Sequence, residues 1–188
     1  VFELRQKYLG SYESSTNHLP DVDSIALKTA YFSGLKFIAA YEVPFLNPET
    51  TSSHPNFSAA TKLACAVATD QQPHIRIVDL ETTNKELSTW AVTEVSATIV
   101  ALVRNISKYN GLLSVENAVQ SWGFLQSAIT LARDELGKDS HRLRVCFDPA
   151  NLAGMKTTVE LSKIMASLKP EEVVPVAGRV MLKEAVDL

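Results

Sequence analysis

Positive charge, cysteine, histidine and long apolar runs are all scarce in this 188-residue chain, and each scarcity closes a class of function. Lysine and arginine number 18 against 21 acids, a net charge of −3, so no basic stripe exists to neutralise a phosphate backbone. General nucleic-acid binding is excluded on that ground. The two cysteines, Cys65 and Cys146, lie inside apolar segments and suit reduced core thiols of a cytoplasmic protein. No zinc-finger spacing accompanies them. No apolar run approaches the roughly 18 residues of a membrane span, and no signal peptide is visible, so no membrane partner is expected. Nucleotide fingerprints are missing too: there is no GxGxxG, no GxxxxGKS or GxxxxGKT, and no Gly-x-Ser-x-Gly elbow. The chain does not open with Met, and Val1 stands in what reads as mid-helix. The expectation is that segments are missing from the sequence.

What is present suits one globular domain spanning residues 1–188, because 46% hydrophobic content over this length can bury a real core. Its organising stretch is residues 111–154, GLLSVENAVQSWGFLQSAITLARDELGKDSHRLRVCFDPANLAG. A short apolar run ends in Glu116, a long amphipathic segment follows, and a second apolar run ends in Asp148. Strand, helix, strand is a βαβ crossover, and 32 positions between the acids is the length one such unit needs. In parallel α/β folds the carboxyl ends of the strands are where ligands bind. Two readings stand open. In one, Glu116 and Asp148 share a site; in the other, Glu116 caps the next helix and Asp148 starts an Asp-Pro turn.

Alternation sorts the side chains. Leu112, Ser114 and Glu116 point one way, Leu113, Val115 and Asn117 the other, and Arg144, Cys146 and Asp148 share a face. Elsewhere, residues 3–10 read as the end of a helix closed by Gly10, and residues 21–34 as a capped helix. Residues 36–43 and 74–80 read as buried strands, the second ending near Asp79. Helices are expected over 57–71, 90–109 and 157–168, with a last strand at 173–182 interrupted by Pro175 and Gly178. Strands alternating with helices, and no hairpin signal, mean a parallel sheet. Periodicity alone fits an open doubly wound sheet or a (β/α)8 barrel, and acids at the ends of neighbouring strands favour the barrel.

The order of these features resembles the xylose isomerase-like TIM barrels, the sugar phosphate isomerase/epimerase group. "GLLSVEN" is similar to the family strand that ends in a metal-binding Glu, here Glu116, and "RVCFDPANL" to the next strand, ending in Asp148. "ALKTAYFSGLKFIAAYEV" and "HIRIVDL" resemble segments upstream. The resemblance implies a (β/α)8 barrel, with first and last strands not visible, and a divalent ion (Mn, Mg or Co) held by Glu116 and Asp148. It implies an isomerase or epimerase that moves a proton between adjacent carbons of a sugar or sugar phosphate through an enediolate, with Glu116 in a catalytic role. Hard oxygen ligands suit such ions.

The sequence departs from the family at three points. The strand after Asp148 carries no His, Asn151 stands where a His is frequent, and the second Glu of the last strand is not present. Those departures keep open a non-catalytic barrel relative acting as a small-molecule-binding or interaction module. An endonuclease IV-like relative would need more than four histidines offer, and a basic groove this chain lacks. Asn117 and Asn151, flanking the acids, are candidates for substrate hydroxyls or for capping and turns. His54, in the loop after the 36–43 strand, is a candidate substrate contact or an exposed loop His, and His18 likewise. Arg76 and Arg144 are expected in an ionic layer at the barrel floor, with His74 structural. A homo-oligomer stays open.

Overall fold

The computed structural model describes residues 2–4, 36–42, 55–68, 72–79, 89–153 and 158–173. Five strands form one all-parallel sheet: β1 (Phe2–Leu4), β2 (Phe37–Glu42), β3 (His74–Val78), β4 (Leu112–Glu116) and β5 (Leu143–Cys146). Their spatial order is their chain order, β1-β2-β3-β4-β5. A doubly wound sheet reverses strand order at a switch point. No reversal occurs among the described strands, so the sheet is wound in one direction. Val173 makes a parallel bridge to Val145 and continues that order past β5.

Among the described residues five α-helices accompany the sheet: α1 (Pro55–Val67), α2 (Thr89–Ser107), α3 (Trp122–Leu136), α4 (Pro149–Ala153) and α5 (Thr158–Ser167). α3 shows how sequence sets such an element. Ser121 caps it, its Oγ accepting the Phe124 N–H at 3.3 Å. Gly137 ends it with φ 53°, a left-handed conformation that favours glycine. Trp122, Leu125, Ala128, Ile129, Ala132 and Leu136 make the buried stripe between those ends. That stripe packs on α2 and the sheet, and each fully buried Leu or Ile contributes about 1.5–3 kcal/mol.

Gly111 places β4. Its N–H donates to the Ile106 carbonyl at 3.0 Å, and the next N–H, of Leu112, reaches the Pro73 carbonyl at 2.7 Å. A Cβ at Gly111 would lie 2.4 Å from Ile106 Cγ1 and 3.0 Å from that Pro73 oxygen. Only glycine lets the end of α2 turn this closely beside the start of β3.

Two local expectations need correction, and two short elements add to them. Residues 2–4 form a strand paired with Phe37–Ala39, not part of a helix, because pairing with a buried neighbour overrides helix-forming residues. A 3-10 turn, Gly137–Arg142, and the short α4 were not foreseen, both being too brief to show a period. α2 ends at Ser107, before the expected 109.

Candidate functional site

Alternation along these strands gives the sheet two faces. Ala39, Tyr41, Ile75, Ile77, Leu113, Val115, Leu143 and Val145 lie in register across β2 to β5 and join the helices in one apolar core. The opposite face carries His74 and Arg76 of β3, Ser114 and Glu116 of β4, and Arg144 and Cys146 of β5. His74, Arg76, Ser114 and Glu116 are each 1% exposed or less. Polar side chains buried this deeply call for hydrogen-bonding or charged partners.

Arg76 Nη1 lies 2.9 Å from Glu116 Oε2, and His74 Nε2 is 3.1 Å from Ser114 Oγ, while His74 Nδ1 has no hydrogen-bond partner among the described residues. Burial, and then the cations Lys36 and Arg144, push His74 down to about 3, so the imidazole is neutral. Arg144 donates to the Glu171 carbonyl. Arg76 therefore does not stop at the floor of the sheet, as expected from sequence, but extends to the residue that ends β4. Its partnership spans 40 positions and rests on β3 and β4 lying side by side.

Glu116 ends β4 at the carboxyl edge and pairs in register with Cys146 of β5. It does not cap α3, whose cap is Ser121. Asp148 follows β5 at the same edge, its Oδ1 accepting the Ala150 N–H at 2.9 Å, and α4 begins at Pro149 where a turn was expected. Asn117 Oδ1 accepts the Asp148 N–H at 2.7 Å while its Nδ2 donates to the Asp148 carbonyl at 2.8 Å. Asn151 Nδ2 donates to the Asn117 carbonyl at 2.7 Å and lies 3.5 Å from Glu116 Oε1. Four of the sequence candidates, Glu116, Asn117, Asp148 and Asn151, thus meet in one hydrogen-bonded cluster. His54, like His18, lies outside the described residues.

Sequence reasoning gave no role to two further residues at this edge. Asp79 directly follows β3 and is fully buried, and Gln120 Nε2 donates to the Asp79 carbonyl at 3.1 Å. Trp122 meets Phe147 edge to face, centroids 5.3 Å apart, so its ring is committed to packing below the cluster.

The donor chemistry of Glu116 and Asp148, hard carboxylate oxygens, fits Mg, Mn or Co. Among the described residues, however, no group of three or more His, Cys, Asp or Glu side chains comes together as a metal set. No helix among them is long and apolar enough to cross a membrane. No protein-family profile, curated protein or solved structure matches this chain.

Proposed function

We propose that this protein is a metal-dependent sugar or sugar-phosphate isomerase or epimerase, built on a (β/α)8 barrel to which the described sheet belongs. The observation that carries this reading is the placement of Glu116 and Asp148 at the carboxyl edge of adjacent parallel strands, bridged by Asn117 and Asn151. The one-directional strand order supports the barrel, in which that edge is the mouth where chemistry occurs.

Glu116 and Asp148 would hold the divalent ion. When bound, such an ion supplies Lewis-acid polarisation of a sugar carbonyl and stabilises negative charge on its oxygen. The chain's own residues do the rest. Arg76 Nη1 lies 2.9 Å from Glu116 Oε2 and holds that carboxyl group in a 1% exposed position. Glu116 is the candidate for moving a proton between adjacent carbons through an enediolate. Asn151 lies against the same carboxylate and is placed to meet a substrate hydroxyl at the cluster's rim. The implied partner is a small polyhydroxylated molecule, with neither nucleic acid nor membrane required.

A second reading has its own observation. The 2.9 Å contact with Arg76 gives Glu116 an internal counter-charge, as expected of a barrel relative that binds a small molecule or a partner without catalysis. Mn2+ binding separates the two, measured by equilibrium dialysis on the wild-type protein and on Glu116→Gln and Asp148→Asn, with circular dichroism reporting the fold. The enzyme reading predicts one tight ion per chain, weakened in both variants by more than the about 10–100-fold of an outer-shell change. No binding, or binding indifferent to both substitutions, supports the non-catalytic reading. Deuterium uptake from heavy water into a panel of aldoses and ketoses then tests the proton transfer.

A further inference from the structure

β4 and β5 stay in register through the Glu116–Cys146 rung, and then their backbones part. Past that rung one side chain does the work of a ladder. Asn117 takes both backbone groups of Asp148, the N–H at 2.7 Å and the carbonyl at 2.8 Å. A neighbouring strand would offer the same donor and acceptor, but at backbone distance rather than at a side chain's reach. Exchanging the amide's oxygen and nitrogen would set N–H against N–H and carbonyl against carbonyl, so the pattern itself fixes its orientation. Asn117 is fully buried, so water does not compete for these bonds. The chain through Asp148 is held from its other side as well, by the Asp148 Oδ1 to Ala150 N–H bond. Asn151 closes the loop onto the Asn117 carbonyl and toward Glu116.

We infer that Asn117 is a positioning residue. Its amide acts as a surrogate strand that spaces the end of β5 from the end of β4, and so sets where Asp148 stands relative to Glu116. Only Asn carries a donor and an acceptor at this reach: Asp lacks the donor, and Gln moves the pair one methylene outward. The functional half of this inference rests on Glu116 and Asp148 being the ion's ligands. The geometric half stands on the hydrogen bonds alone.

Two readouts on the full chain test it, in wild type, Asn117→Ala and Asn117→Gln, each checked for fold by circular dichroism. The first is hydrogen exchange of the Asp148 amide, followed by NMR. Exchange should speed up by about tenfold or more in Asn117→Ala, while the amides of β5 keep their protection. The second is Mn2+ affinity, which should fall about 10–100-fold. Asn117→Gln should lie between wild type and Asn117→Ala in both, and it decides alone where Asn117→Ala does not fold. Unchanged Asp148 exchange in a folded variant overturns the inference. So does faster exchange with Mn2+ affinity intact. Absence of Mn2+ binding in wild type refutes the enzymatic reading and with it the functional half, while the exchange measurement still decides whether Asn117 holds Asp148.

Discussion

The two faces of the one sheet are built on different terms. On the helix side, Ile75, Ile77, Leu113, Val115, Leu143 and Val145 fill space, and any side chain of like volume and apolarity meets the requirement. On the other side, Arg76, Glu116, His74 and Ser114 are as deeply buried, yet Arg76 meets Glu116 and His74 meets Ser114 through specific polar contacts. The apolar face is a matter of volume and the polar face a matter of pairing. A buried charged pair adds little net stability over apolar side chains of like volume, but losing one member of it costs far more than losing both.

Breaking a pair should therefore cost most. Glu116→Gln conserves shape but removes the negative charge 2.9 Å from the buried Arg76 guanidinium, and urea unfolding should show a loss of about 3–5 kcal/mol. Replacing both partners, Arg76→Met with Glu116→Leu, should recover most of that loss. Additive losses in the double variant would show that the two residues act separately.

Gly111→Ala tests the close approach of the end of α2 to the start of β3. The added methyl meets Ile106 and the Pro73 carbonyl, and a loss of about 1–3 kcal/mol is expected in the same assay. A neutral result would mean that β4 does not depend on this close approach.

His74 makes the polar face sensitive to pH. Its folded value, about 3, lies below the ordinary 6.5, so the unfolded chain binds a proton that the folded one refuses. Its contribution is complete above pH 6.5 and drains as pH falls toward 3, by up to about 1.4 kcal/mol per unit. Melting curves at pH 7 and pH 5 should show this loss in wild type and a smaller one in His74→Gln. Equal losses would place the sensitivity elsewhere.

On the apolar face Leu113→Met should cost less than about 1.5 kcal/mol, well below the equally conservative Glu116→Gln. A cost as large as that of Glu116→Gln would erase the contrast between the faces. Smallest of all is the exposed pair Arg104–Glu135, 3.1 Å apart with side chains 60% and 53% exposed. Arg104→Ala should change stability by less than about 1 kcal/mol. A larger loss would mean that Arg104 contributes through more than this screened pair.

Much of the apolar face was legible beforehand, because buried parallel strands read as short β-branched runs and amphipathic helices keep their period. HIRIV and LLSVE are such runs, and the acids closing or following two strands stood out for the same reason. The pairing face was less legible. That Arg76 meets Glu116 depends on β3 and β4 lying side by side in one register, which no local pattern encodes. The Asn117 clasp on Asp148 left no trace either, since a side chain bonded to backbone imposes no spacing. Phe2–Leu4 misled for the opposite reason: the stretch 3–10 holds good helix formers, and a strand partner decided the state of Phe2–Leu4.

The central claim is that Glu116 and Asp148 converge on one divalent ion at the carboxyl edge of β4 and β5. Paramagnetic broadening of backbone amide signals by substoichiometric Mn2+ tests it directly. The account predicts that the amides of Asn117, Ala118, Phe147 and Asp148 broaden first, while those of Leu112 and Leu143, at the opposite ends of the same strands, stay sharp. Broadening centred on other residues, or none at all, would contradict it.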